Sequence, residues 1–191
     1  MAAPGSSESG SQAQAAAAAL SSGAAEVFLL ESRRYLISEY PTKLERAITC
    51  LDPDDLWWRP GSNTNSVGHL LRHLVGNVRQ WVVHGIGGRS DVRDRAAEFA
   101  ADPAPLDELL GALRDTLAEA DIVLSELTPA SLMEARSIQG VDTTVLRALY
   151  HVVEHFSMHT GQVLWVVKAR TGTDLDFYRV DDAGRVLDTT W

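Results

Sequence analysis

The chain has 191 residues, a hydrophobic fraction of 45 % and a formal net charge of −9. That is apolar material for one core without staples, while an acidic balance with its 17 basic residues scattered argues against a phosphate-neutralising nucleic-acid surface. The single cysteine, Cys50, excludes an intrachain disulfide and a thiolate-rich zinc site and fits a reducing, cytoplasmic setting; no stretch approaches the roughly 20 apolar residues of a membrane span.

Residues 1–22 are rich in Ala, Ser, Gly and Gln, which predicts a disordered or loosely ordered tail, with a four-helix domain over 23–191. The first helical pattern covers about residues 23 to 50. It places Val27, Leu30, Leu36, Ile37, Leu44, Ala47 and Ile48 on an apolar stripe, and Cys50 reads as core at its end. Pro41 should kink or split it after Tyr40, because proline lacks a backbone donor and clashes with the preceding turn. In the connector LDPDDLWWRPGSNTN, Trp57 and Trp58 are expected to cap one end of the core.

The second helix starts with Asn65 or Ser66 as N-cap and ends before Gly85. A polar crossing, GGRSDVRDRAAEFAADPAP, leads to a third helix over about 105 to 127, with Pro105 in its first turn and Pro129 after its end. SLMEARSIQGVDTT reads as an irregular link. The fourth helix runs from about Thr143 to Arg170 and stops at Gly172; a short C-terminal hairpin can form around Ala183-Gly184. The fold class is therefore all-α, a four-helix bundle, the architecture that builds metal and ligand sites from facing helices.

All six histidines fall in two of these helices: His69, His73 and His84 in the second, His151, His155 and His159 in the fourth. A helical wheel puts His159 at the edge of the stripe Val145, Leu149, Val152, Phe156, Val163 and Val167, with His155 a little further round. His73 flanks the stripe Val67, Leu70, Leu71, Leu74, Val78 and Val82; His69 and His151 lie nearer solvent. Residues four apart stand one turn apart on one face, so His155 and His159 can grip one ion with His73 across the bundle. Three protein ligands leave a position for water or substrate, as in catalytic zinc sites, and three imidazoles also suit nickel, iron or copper. Around them, Gln162 can orient a ligand or bond a nearby backbone group, and Asn77 lies one turn beyond His73. Glu154 points away from His159 and reads as a solvated carboxylate or an outer support of the site. Trp81 and Trp165 read as packing or dimer contacts.

The combination of NSVGHLLRHLVGNVRQW with HVVEHFSMHTGQVLWVVKARTGTDLDFY and the LWWRP turn resembles the DinB/YfiT-like metalloenzyme superfamily over about residues 24 to 180. The resemblance implies a bundle, often dimeric, with a divalent metal, zinc or nickel, held by one histidine of the second helix and two of the HxxxHxxGQ stretch. In this chain those are His73, His155 and His159. It further implies, by analogy with relatives that use bacillithiol or mycothiol, a small-molecule reaction in which a low-molecular-weight thiol is transferred to an electrophile. A metal-dependent hydrolase, or a non-catalytic helical binding or stress-response protein, stands as the alternative.

Overall fold

The computed structural model describes residues 7–100 and 102–189. Six helices appear in it: α1 (Ser7–Arg34), α2 (Tyr40–Ile48), α3 (Val67–Val78), α4 (Arg95–Ala100), α5 (Leu106–Ser125) and α6 (Val145–Thr171). Wider π-helical turns over Tyr35–Glu39 and Arg79–Ile86 join α1 to α2 and extend α3. The four long columns of the bundle are thus α1–α2, α3 with its π extension, α5 and α6. The fold is all-helical, as expected, apart from two small hairpins, of which the sequence anticipates only the C-terminal one.

Of the tail expected over residues 1–22, residues 1–6 lie outside the described residues. From Ser7 the backbone is already helical and continuous with α1. The alanine run accounts for this, since alanine has the highest intrinsic helix propensity. The chain does not break at Pro41. The turn Tyr35–Glu39 closes through the Tyr40 N–H on the Tyr35 carbonyl, and Pro41 enters the first turn of α2, where a missing donor costs little.

That π turn corrects part of the first stripe. Leu36, Leu44, Ala47 and Ile48 are buried, but Val27 and Leu30 are 59 % and 65 % exposed. A π turn inserts one residue, rotating the helix before it by roughly 100° relative to the helix after it. A wheel of constant pitch drawn back from α2 therefore puts Val27 and Leu30 on the wrong face. Cys50 is also corrected: it is exposed, because α2 ends at Ile48 and Cys50 lies in the turn beyond.

The core joins all four columns. Leu36, Leu44 and Ile48 meet Leu71, Leu74 and Val78 of α3, Leu113 of α5, and Leu149, Phe156 and Val163 of α6. Each such side chain contributes about 1.5–3 kcal/mol by leaving water. Both stripes read for α3 and α6 are buried throughout. Trp57 and Trp58 pack half-buried against this core, and Trp57 occupies the space above Gly68 where a Cβ would meet its ring at 2.6 Å.

Two segments read as irregular carry structure. In the link before α6, β1 (Ala135–Ile138) pairs antiparallel with β2 (Val141–Thr144), Ile138 opposite Val141. The two residues between them, Gln139 (φ 55°) and Gly140 (φ 74°), both take the left-handed backbone that a tight hairpin demands. The polar crossing holds α4. At the C-terminus, β3 (Tyr178–Val180) and β4 (Val186–Thr189) form the expected hairpin, turning at Gly184 with φ 76°. Among the described residues no helix is long and apolar enough to cross a membrane.

Candidate metal centre

Two helix starts set the site. Ser66 caps α3: its Oγ accepts the His69 backbone N–H at 3.2 Å, and His69 Nδ1 takes the Ser66 N–H at 3.3 Å. This reciprocal box fixes where α3 begins and so where His73 falls, one turn later. It also occupies His69, whose ring packs edge-on against Trp57. Thr144 caps α6 by accepting the Arg147 N–H at 3.3 Å, and Gly172 ends it with a φ of 67°. The 3.6-residue pitch then stacks His155 and His159 on the face that α3 covers.

The structure brings His73, His155 and His159 together, one nitrogen from each lying within 4.8 Å of the others. His155 Nε2 stands 3.1 Å from His73 Nε2 and 3.2 Å from His159 Nε2. Nitrogens bound tetrahedrally to one ion at about 2.0–2.1 Å would be roughly 3.3 Å apart. His73 and His159 are 7 % and 8 % exposed, and His155 is half-buried.

The outward nitrogens show why this cluster fits a cation. His159 Nδ1 lies 2.7 Å from Gln162 Oε1 and His73 Nδ1 lies 3.0 Å from Glu98 Oε2. With Nδ1 protonated on both rings, each donates to its oxygen and turns an Nε2 lone pair inward. Converging lone pairs repel one another unless a cation, or the N–H of one neutral ring, sits among them. A second proton on His155 is disfavoured: burial first, and then the positive charge that His159, His73, His151 and Arg93 would add, push its imidazole down to about 3. Burial likewise lowers His73, against the pull of Glu98. Three closely spaced imidazole nitrogens could hold a metal ion. His155 Nδ1 is buried with no hydrogen-bond partner among the described residues, so none of them holds that ring by its outer nitrogen.

Glu98 is the residue that the sequence reading missed. It lies in α4, and Arg93 grips it with Nε on Oε1 at 2.5 Å and Nη2 on Oε2 at 2.8 Å. Phe99, next along α4, packs its ring 5.4 Å from that of His73. Gln162 does bond His159, from an exposed position. Asn77 is buried one turn beyond His73, and its Oδ1 has no partner among the described residues. Glu154 is exposed and forms no ion pair among the described residues. His151 packs against Trp81 at 4.4 Å between ring centres and stays outside the trio; His84 faces Asp91 at 3.3 Å.

Two clefts lie near the residues that contact the trio, and none of the three histidines lines either. One of about 440 Å³ lies on the Gln162 side, between the 60–65 loop and Trp165; the other, about 350 Å³, lies outside Arg93 and Glu98.

Comparison with known proteins agrees with this architecture. A family model described as "Protein of unknown function (DUF1572)" matches residues 24–181. No curated protein matches. Among solved structures, the DinB-like protein YjoA of Bacillus subtilis is similar with a TM-score of 0.58 and 19 % identity, over 78 % of this chain and 98 % of that one. A DinB-like protein of Bacillus cereus is similar with a TM-score of 0.58 and 18 % identity, over 77 % and 93 %. At such identities the likeness establishes the fold, which is DinB-like, as the resemblance implied.

Proposed function

The chain belongs to the DUF1572 family, and we propose that it is a divalent-metal-dependent enzyme that transfers a low-molecular-weight thiol to a small electrophile. One observation carries this reading: three imidazole Nε2 atoms converge, and the group contains no fourth protein ligand among the described residues. Such a site leaves a coordination position for a small molecule, unlike a closed structural site. A zinc or nickel ion bound there supplies Lewis acidity that favours the deprotonated form of a thiol or water.

The chain's own residues set the conditions. Glu98 and Gln162 hold two rings by their outer nitrogens, burial disfavours the charged forms of His155 and His73, and Phe99 packs against His73. The 440 Å³ cleft beside Gln162 has the size of a small-molecule site. In the reaction the thiol sulfur bonds the electrophilic carbon, that carbon's bond to its leaving group breaks, and the thiol proton departs with the leaving group. Met158 and Trp165, two turns apart on α6 and 47 % and 60 % exposed, support a homodimer.

Elemental analysis of untagged protein, with His73→Ala beside it, tests the metal. About one zinc or nickel per chain, absent from the variant, is expected; no metal even after incubation with either ion overturns the reading. Turnover of an electrophile that requires an added thiol then supports transfer, while thiol-independent turnover makes the protein a hydrolase. Light scattering at twice the chain mass supports the dimer, and a monomer removes it.

A further inference from the structure

Gly76 lies inside α3, one turn past His73, where glycine disfavours helix relative to alanine. Its lack of a side chain has a physical reason. A Cβ there would overlap Glu98 Oε1, and it would stand 2.7 Å from Glu98 Cδ and 2.8 Å from Arg93 Nε. The absent methyl is the space that the ion pair fills. From that space Glu98 Oε2 reaches His73 Nδ1 at 3.0 Å.

The carboxylate is fixed from several directions. Arg93 binds both its oxygens and donates through Nη1 to Gln80 Oε1 at 2.8 Å. Gln80 belongs to the π extension of α3 and donates in turn to Asp91 Oδ2 at 2.5 Å. Gln139, at the tip of the β1–β2 hairpin, donates to the same Gln80 oxygen. A carboxylate 10 % exposed and a guanidinium 5 % exposed are thus bonded through to three separate elements. A buried charge pair is a weak stabiliser in itself, so its placement on a ligand nitrogen calls for another reason.

We propose that Glu98 is a positioning residue for the metal centre: it locks His73 in the Nδ1–H tautomer, with Nε2 aimed at the ion, and Gly76 exists to admit it. The inference rests on the metal reading above. One contact competes with it. Arg93 Nη2 lies 3.1 Å from His73 Nδ1 and would donate to that nitrogen in the opposite tautomer, turning Nε2–H inward and blocking coordination. Two features favour Glu98. The Arg93 nitrogen already donates to Glu98 Oε2, and an unprotonated Nδ1 would put a lone pair 3.0 Å from a carboxylate oxygen.

The test has two arms. Long-range ¹H–¹⁵N spectra of the metal-free wild-type protein report the tautomer directly; protonated Nδ1 at His73 is expected, and an Nε2–H tautomer there overturns the proposal. Zinc and nickel affinities, measured by competition with a chromophoric chelator, are expected to fall about 10–100-fold in both Glu98→Gln and Gly76→Ala. The metal-free helical content of each should stay at the wild-type level, since alanine is the better helix former at position 76. Affinities within about twofold of wild type in both folded variants overturn it. Should either variant fail to fold, the wild-type spectrum still decides. Should the wild type bind no metal, the metal reading fails, and the tautomer separately tells whether Glu98 holds His73.

Discussion

Two ion pairs of the bundle follow different rules. Arg33 and Asp121 join α1 to α5 at 2.6 Å, with side chains 46 % and 32 % exposed. Arg93 and Glu98 join at 2.5 Å against α3, with side chains 5 % and 10 % exposed. The first pair stays in high dielectric, where ion pairs contribute about 0–1 kcal/mol. The second is desolvated, and it is tolerated because partners surround it: the guanidinium on both carboxylate oxygens, Gln80 on the guanidinium, and the His73 ring 3.0 Å from Oε2. The contrast teaches where to look for function. The Arg33–Asp121 pair stays in contact with water, whereas the Arg93–Glu98 pair is buried beside His73.

The sharpest way to break the comparison is His155→Ala. His155 contacts both other imidazoles through Nε2, so its removal should abolish zinc and nickel uptake. The fold should survive, because the α6 stripe remains intact, with Phe156 and Val152 fully buried. Metal analysis and far-ultraviolet circular dichroism check both halves. Helicity lost along with the ion would mark the metal as structural.

Arg93→Ala against Arg33→Ala comes next. Losing Arg93 leaves Glu98 buried without its cation and should lower the unfolding free energy of the metal-free protein by about 3–5 kcal/mol. Losing Arg33 should lower it by less than about 1 kcal/mol. Urea denaturation of both variants decides; equal losses would erase the distinction between the two pairs.

Acid probes the buried site more gently. His155 is pushed down to about 3, and His73 and His151 are lowered too, each chiefly by burial, from an ordinary value of 6.5. Below 6.5 the unfolded chain therefore binds more protons than the native one. The corresponding stability is fully present above 6.5 and drains away as pH falls toward 3. The midpoint of thermal unfolding of the metal-free protein should decline over that window, and His155→Ala should flatten the decline. A midpoint independent of pH there would show that the imidazoles are already well solvated.

How much of this was legible depends on periodicity. The stripes of α3 and α6 are regular, so Val145, Leu149 and Val152 fell on the buried side, and His73, His155 and His159 could be picked by angle alone. Glu98 and Arg93 could not. They come from a crossing segment with no period, and only packing brings them to His73. One trace did exist: Gly76 sits mid-helix with no local cause, and a glycine there signals something passing close. Val27 and Leu30 were misplaced because a π turn changes the phase of the wheel, and its five residues, YLISE, have no composition that announces it. The β1–β2 strands have four residues each, too few to show alternation, so only Gln139-Gly140 hinted at a turn.

The smallest expected effect is the most exacting check on the histidine assignment. His151 lies one turn before His155, with its ring centre 5.4 Å from that of His155, and four positions separate it from His155 just as four separate His155 from His159. By spacing alone, His151 and His155 would make as good a pair. The difference is rotational: His151 turns toward Trp81, 4.4 Å away, while His155 turns toward His73. His151→Ala should therefore change zinc affinity by less than about twofold, below the 10–100-fold loss expected even for a residue that only supports a ligand. It should also leave an unfilled space beside Trp81 and shift the tryptophan emission. A loss of metal comparable to that of His155→Ala would mean that the grip is set one turn earlier on α6, with His151 and His155 as the pair.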